Sequence, residues 1–271
     1  MEHTGDISGL VRRQELFQRA IVRVPSENFA AGLTTVSLGT PDYCRALEQH
    51  EAYCSVLEQC GLRLTRLEAD QRYPDSTFVE DTAVLTARCA VVTNPGAPSR
   101  AGETEEINKT LAGFYSELHS ISEPGTLDGG DVCEAGNHFF IGISERTNEA
   151  GAQRLAELLA SFDYTASLVD IRDVDGILHL KSGLAYLGNN QLVLVDELRQ
   201  RPEFDGYDLI HVAAGEEYAA NCVNINGRVL VATGYPEIER TLRLAGHETV
   251  ALQMSEFQKM DGGLSCLSLR F

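Results

Sequence analysis

The sequence predicts an α/β fold in which small strand-and-helix units are arranged radially. Three observations carry this. Short apolar runs of strand character alternate with single helical stretches along the whole chain. Pairs of strands, rather than single strands, separate successive helices. The pattern also recurs about five times, at a spacing of roughly 40–55 residues, the range of propellers and other repeat architectures. The units share pattern only, without visible sequence identity. A doubly wound open sheet is the competing arrangement, but the chain has neither a Gly-x-Gly-x-x-Gly turn after a strand nor a phosphate loop. No Gly/Ser/Pro-rich linker divides it. Residues 20–271 therefore read as one domain, and residues 1–19 as an N-terminal extension without an assigned role.

Each element has its own signal. Residues 20–24 form a first strand. Thr40-Pro41 opens a helix, with Thr40 as cap and Pro41 at the first helical position. Tyr43, Leu47, Tyr53, Leu57 and Cys60 fall near one of its faces, and Gly61 ends it. Residues 62–67 are a strand, 83–85 and 90–93 a strand pair, and a helix follows near 103–115. A strand at 138–143 precedes a helix near 148–162. Residues 192–195 and 209–212 are short apolar runs. Asn226-Gly227 marks a hairpin within 223–232. Pro236 opens a helix that runs to residue 245, and strands at 249–252 and 265–271 close the chain.

Composition narrows the function. With 22 basic against 40 acidic residues the net charge is −18, which works against nucleic-acid binding. No apolar run reaches the ~20 residues of a membrane span, and the first 19 residues lack a signal-peptide core, so a cytoplasmic protein is expected. The seven cysteines are irregularly spaced, with no Cys-x-x-Cys pair. Neither a structural zinc site nor a disulfide framework is expected, and most of the thiols read as small buried apolar groups.

Four segments place polar residues in apolar or turn-rich surroundings: 74–81, 126–132, 177–181 and 260–268. Cys266 follows Gly262-Gly263 at the start of the terminal strand, where a thiol can be exposed and activated. His179 lies between Leu178 and Leu180, so strand alternation turns it away from both leucines. A thiol and an imidazole form the minimal nucleophile-and-base unit. Asp128 and Asp131 flank Gly129-Gly130. Glu80 and Asp81 follow Phe78-Val79; on a strand they point to opposite faces, so one of them at most shares a pocket with Asp75. Arg100 follows a rigid Pro-Gly-Ala-Pro-Ser loop and Arg146 precedes a helix start, positions suited to carboxylate capture. Taken singly, each has a plainer reading: a core cysteine, a satisfied histidine, a turn, a charged edge strand, a solvated arginine.

Together the segments resemble the dimethylarginine dimethylaminohydrolase family of the guanidino-group modifying (pentein) superfamily. The resemblance runs from Arg23-Val24-Pro25 to the C-terminus, outside residues 1–19. Its most specific stretches are Pro-Asp-Ser-x-Phe-Val-Glu-Asp at 74–81, Pro-Gly-Ala-x-Ser-Arg at 95–100, Thr-Leu-Asp-Gly-Gly-Asp at 126–131 and Arg-Thr-Asn at 146–148. Leu-His-Leu-Lys at 178–181, Ala-Ala-Asn-Cys at 219–222 and Asp-Gly-Gly-x-Ser-Cys at 261–266 complete it. It implies a five-bladed α/β propeller of ββαβ-type units, with no metal and no organic cofactor. It also implies hydrolysis of methylated arginine to citrulline, in the setting of arginine metabolism and nitric oxide regulation. Cys266 would attack the guanidinium carbon, His179 would serve as acid and then base, and Asp128 would orient His179 or hold the guanidinium. Asp81 would bind the guanidinium nitrogens. The carbonyls of Leu33 and Met260, with Asp75, would hold the α-ammonium; Arg100 and Arg146 would grip the α-carboxylate; Glu80 would support the site from behind. The partner implied is a small cationic amino acid, with homodimers common among bacterial relatives. An arginine or agmatine deiminase of the same superfamily and a non-catalytic binding protein on the same fold are the rival readings.

Overall fold

The computed structural model describes residues 16–271; positions 1–15 of the expected extension lie outside them. The strands form five three-stranded sheets. In chain order, β1 (Arg19–Arg23) leads through α1 (Tyr43–Gln59) to β2 (Arg63–Leu67). The second sheet contains β3 (Ala83–Leu85), β4 (Ala90–Val92) and, after α2 (Thr104–Leu111), β5 (Leu118–Ser120). The third has β6 (Val132–Ala135), β7 (His138–Ile143), α3 (Glu149–Ala160) and β8 (Thr165–Asp170). A four-residue helix, α4 (Leu180–Gly183), introduces β9 (Leu184–Gly188), β10 (Gln191–Leu194) and β11 (Asp208–His211). The fifth sheet has β12 (Val223–Ile225), β13 (Arg228–Ala232), α5 (Pro236–Leu244) and β14 (Glu248–Leu252). After α6 (Ser255–Gln258), β15 (Leu269–Arg270) returns to the first sheet.

In every sheet the middle strand pairs antiparallel with one neighbour and parallel with the other. A parallel pair needs a crossover. Helices α1, α2, α3 and α5 supply four; between β10 and β11 two 3-10 turns, Asp196–Leu198 and Pro202–Phe204, take that place. The expected ββαβ unit is thus complete in three sheets and lacks its helix in the fourth. In the first it is assembled from both ends of the described chain, with Ala20 opposite Arg270 and Ile21 opposite Leu269.

Strand alternation joins the sheets into a ring. Ala20 and Val22 of β1 enter one apolar cluster and Ile21 the next. In β4, Val91 faces one cluster while Ala90 and Val92 face another. Phe140 of β7 is parted in the same way from Phe139 and Ile141, and Leu230 of β13 from Val229 and Val231. Because successive side chains point to opposite faces and both faces are covered, these strands read as unbroken apolar runs.

Local chemistry corrects several expectations. The cap of α1 is Asp42, whose carboxylate accepts from Arg45 N, rather than Thr40. The buried face of α1 includes Ala46, His50, Tyr53, Cys54 and Leu57. The Asn226-Gly227 hairpin forms with both residues at positive φ, 53° and 95°. Residues 79–82 form a 3-10 turn instead of a strand, His179 caps α4, and Cys266 lies in a 3-10 turn, Ser265–Leu267, ahead of β15. The fold depends on closing the first sheet from its C-terminal strand. Replacing the buried Leu269 by Ala should therefore lower unfolding stability by about 3 kcal/mol, measured by urea denaturation; a loss below about 1 kcal/mol would count against closure as a main source of stability.

Candidate active site

A short helical turn precedes the antiparallel outer strand of every sheet: Val79–Thr82 before β3, Gly129–Asp131 before β6, α4 before β9, Glu217–Ala220 before β12 and Ser265–Leu267 before β15. These turns carry or adjoin Asp81, Asp128, His179, Asn221 and Cys266. Each turn is bonded to its neighbours. Asp81 Oδ1 accepts from Gly130 N at 2.9 Å, and Asp131 Oδ1 accepts from Leu180 N at 2.9 Å. Asn221 Nδ2 donates to Lys181 O at 2.9 Å while its Oδ1 accepts from Ser265 N at 2.9 Å. Ser265 Oγ donates to Glu80 Oε2 at 2.6 Å, closing the circle. Such close approach explains the double glycine: a Cβ on Gly130 would lie 2.7 Å from Asp81 Oδ1 and 2.9 Å from the His179 ring.

The turns wall a cavity lined among others by Leu33, Asp75, Phe78, Asp81, Arg100, Arg146, Leu178, His179, Met260 and Cys266. His179 Nε2 lies 3.0 Å from Asp128 Oδ2 and 4.0 Å from Asp81 Oδ1. Burial alone would lower the histidine, but Asp81, Asp131 and Asp128 overcome it and hold its pKa up at about 9. Asp128 is correspondingly held low by His179, against the effect of its own burial. The resting site therefore contains an imidazolium–carboxylate pair.

Cys266 Sγ accepts a long hydrogen bond from Gly263 N at 3.4 Å. Burial first, then Glu80 and Asp81, push its pKa up to about 12, against smaller opposing effects of Gly263 N–H and Lys181. No hydrogen bond joins Cys266 to His179 among the described residues, so the thiol and the imidazolium face the same cavity as separate walls.

The two arginines differ. Arg100 is buried and committed: Nε and Nη2 donate to Glu103, Nη1 donates to Asp81 Oδ2 at 2.6 Å, and Nη2 also reaches Phe78 O at 3.0 Å. Arg146 lines the cavity with no carboxylate or carbonyl partner for its guanidinium among the described residues. Asp75 accepts from Leu33 N through both oxygens, at 3.0 and 3.2 Å. Burial raises its pKa, while Arg100, Leu33 N and Arg146 oppose the rise. Glu80 stands outside the cavity, behind the Cys266 turn. Besides Ser265 it accepts from Lys181 Nζ at 2.7 Å and Arg270 Nη2 at 2.8 Å.

Sequence inspection assigned no role to Glu103, Asp131, Lys181, Asn221 or Ser265. Glu103 left a signal in its i,i+3 spacing from Arg100 on a helical turn, and the other four stand inside the motif stretches at 126–131, 178–181, 219–222 and 261–266. The other contacts join different sheets. Among the described residues, Asp81, Asp128 and His179 are the group whose ligand atoms lie close enough for a metal, within 4.8 Å of one another. Because carboxylate oxygens accept hydrogen bonds, the same arrangement also suits an organic cation that donates them.

A half-buried thiol, a histidine paired to a carboxylate and a cluster of acids line one small cavity on a five-bladed α/β propeller of the guanidine-modifying class. A profile of the family described as "N,N dimethylarginine dimethylhydrolase, eukaryotic" matches residues 42–263. An N(G),N(G)-dimethylarginine dimethylaminohydrolase of Pseudomonas aeruginosa is 44% identical, over 94% of this chain and 100% of its own. The solved structure of a Pseudomonas aeruginosa enzyme of this name, a Cys-to-Ser mutant complexed with citrulline, superposes with a TM-score of 0.92 at 43% identity, covering 95% of this chain and 100% of that one. A second solved dimethylarginine dimethylaminohydrolase, a His-to-Gly variant in an adduct with S-methyl-L-thiocitrulline, gives a TM-score of 0.90 at 44% identity over 94% and 100% of the two chains. The chain belongs to the dimethylarginine dimethylaminohydrolase family.

The raised thiol pKa has a direct consequence. Alkylation of Cys266 by iodoacetamide should be slow at pH 7 and accelerate through pH 10 without levelling off. A plateau between pH 8 and 9, followed by mass spectrometry of the Cys266 peptide, would contradict the half-buried, acid-flanked thiol.

Proposed function

We propose that this protein hydrolyses Nω-methylated L-arginine to L-citrulline, releasing dimethylamine or methylamine, and that Cys266, His179 and Asp128 carry the chemistry. The observation that supports this most is a neutral, half-buried thiol and an imidazolium facing one cavity whose walls are mainly acidic at one end. A guanidinium is a poor electrophile, so its carbon needs a thiolate. Cys266 does not supply one at rest, but an arriving guanidinium brings positive charge beside the sulfur and offsets Asp81, which favours the ionised thiol. Free carboxylate oxygens can receive a cation that has only donors.

The step sequence follows from the charges. Cys266 loses its proton to solvent, and its sulfur forms a bond to the guanidinium carbon. His179 gives its proton to the departing amine as the C–N bond breaks, leaving an S-alkylthiouronium on Cys266. The now neutral His179 takes a proton from water, whose oxygen attacks the same carbon. The hydroxyl proton passes to sulfur as the C–S bond breaks, so citrulline leaves with a neutral ureido group and the thiol is restored. Asp128 keeps the imidazole oriented throughout. Asp75, with the carbonyls of Leu33 and Met260, receives the α-ammonium. Arg146 supplies open donors for the α-carboxylate; Arg100, bound to Asp81 and Glu103, contributes its remaining Nη1 hydrogen.

One assay separates this from the deiminase alternatives. Purified protein is given asymmetric dimethylarginine, monomethylarginine, arginine or agmatine, and both the released amine and the ureido product are quantified. Citrulline with dimethylamine or methylamine is expected; ammonia from arginine as the main activity would overturn the assignment. Cys266→Ser should bind substrate yet lose roughly 10³-fold or more in kcat, and substantial turnover in it would remove Cys266 from its role. Arg146→Ala should lower kcat/KM by roughly 10–100-fold through weaker binding. Activity on agmatine equal to that on methylarginine would count against a carboxylate clamp.

No helix among the described residues is long and apolar enough to cross a membrane. We place the protein in the cytoplasm, with residues 20–271 as one catalytic unit, in keeping with its unpaired cysteines. A homodimer is the assembly we assign, and sizing by light scattering tests it.

A further inference from the structure

We propose that Asp131 is a positioning residue that seats His179 and Arg146 together, joining the acid–base end of the cavity to its carboxylate-binding end. The role of Arg146 in this rests on the function proposed above; the effect on His179 does not. Asp131 is fully buried. Its Oδ1 accepts from Leu180 N at 2.9 Å, the first amide of the helix that His179 caps. Its Oδ2 accepts from Ser144 Oγ and Thr147 Oγ1, each at 2.7 Å. Those two hydroxyls shape the turn around Arg146: Ser144 Oγ accepts from Arg146 N at 3.0 Å and Thr147 N at 3.1 Å, and Thr147 Oγ1 accepts from Asp128 N at 3.1 Å.

The same bonds favour the charged form of Asp131. Ser144 Oγ accepts from two backbone N–H groups and Thr147 Oγ1 from one, and both hydroxyl protons are then turned to Asp131. All of its partners donate and none accepts, which is the pattern of an ionised carboxylate. Burial raises its pKa; His179 and these three donors oppose the rise. An amide of the same shape cannot replace it, because its NH₂ edge would meet donors on either side.

The charged groups around His179 are Asp81 from the Val79–Thr82 turn, with Arg100 beyond it, and Asp128 and Asp131 from the double-glycine turn. Lys181 of its own helix is turned to Glu80, the Glu217–Ala220 turn contributes the neutral Asn221, and Cys266 lies across the cavity. Removing Asp131's charge therefore leaves fewer acids to hold the imidazolium, and the His179 pKa must fall.

The test combines [13Cε1]-histidine NMR titration with steady-state kinetics on dimethylarginine, the His179 signal being assigned by its loss in H179Q. In the wild type the midpoint is expected at about 9. D131N should lower it by about one unit and raise KM by roughly 2–10-fold. The double variant S144A/T147V removes two of the three donors that favour the charged form, so it should raise KM and also lower the midpoint, by no more than D131N does. An unchanged midpoint in folded D131N, or an unchanged KM in the double variant, would overturn the proposal. Should D131N fail to fold, the double variant decides by the same criterion. The titration needs no substrate, so an enzyme inactive on methylarginine would fail the functional assignment without touching the coupling of Asp131 to His179.

Discussion

Five helical turns meet around one axis, and each is hydrogen-bonded to the next. Asp81 with Gly130, Asp131 with Leu180, Lys181 with Asn221, Asn221 with Ser265 and Ser265 with Glu80 form a closed circle of contacts. These groups are buried, or nearly so, and each depends on the others for its partners. A buried polar group left unpaired costs about 1–3 kcal/mol, so the circle holds only when all five sheets are in place. Its closure requires β15, which brings the Cys266 turn beside the turn of Asp81. Cys266 thus arrives with the last strand of the ring.

Within that circle the acids outnumber the cations they can pair with. Asp81, Asp128 and Asp131 surround a single imidazole, and Arg100 offsets only part of this excess because Glu103 holds its other edge. Two opposite effects follow from the one field. It raises His179 against the effect of burial, and together with burial it raises Cys266. On the function proposed above, a guanidinium would relieve the second effect while using the first. The overall charge of −18 acts in the same direction at longer range, drawing cations toward the surface.

Much of the fold was legible because it rests on local rules. The Asn226-Gly227 hairpin, the Pro236 helix start and the paired strands around residues 83–92 follow from turn chemistry and side-chain periodicity. Failures came where tertiary contacts override those rules. Val79–Thr82 has strand-like composition yet forms a 3-10 turn, since Asp81 and Glu80 must reach partners on different neighbours, the double-glycine turn for one and the Cys266 turn for the other. His179 is likewise taken out of a strand by its place at the head of α4. Arg100 and Arg146 look equivalent beside their helix starts; burial separates them, leaving one committed to two carboxylates and the other open to the cavity.

The sequence by itself determined the residue types and the order of the motifs, because reactive chemistry is a property of side chains: a thiol, an imidazole, carboxylates and glycines at positions where backbones cross closely. It also determined the repeating strand-and-helix pattern, since periodicity is local. Only the tertiary structure decided which acid faces the cavity, which arginine is free, and how strongly the thiol and imidazole resist their ordinary protonation states. Those properties depend on distance and burial among groups up to 185 residues apart, as for Glu80 and Ser265, and no spacing rule along a chain encodes a field summed over neighbours from separate sheets.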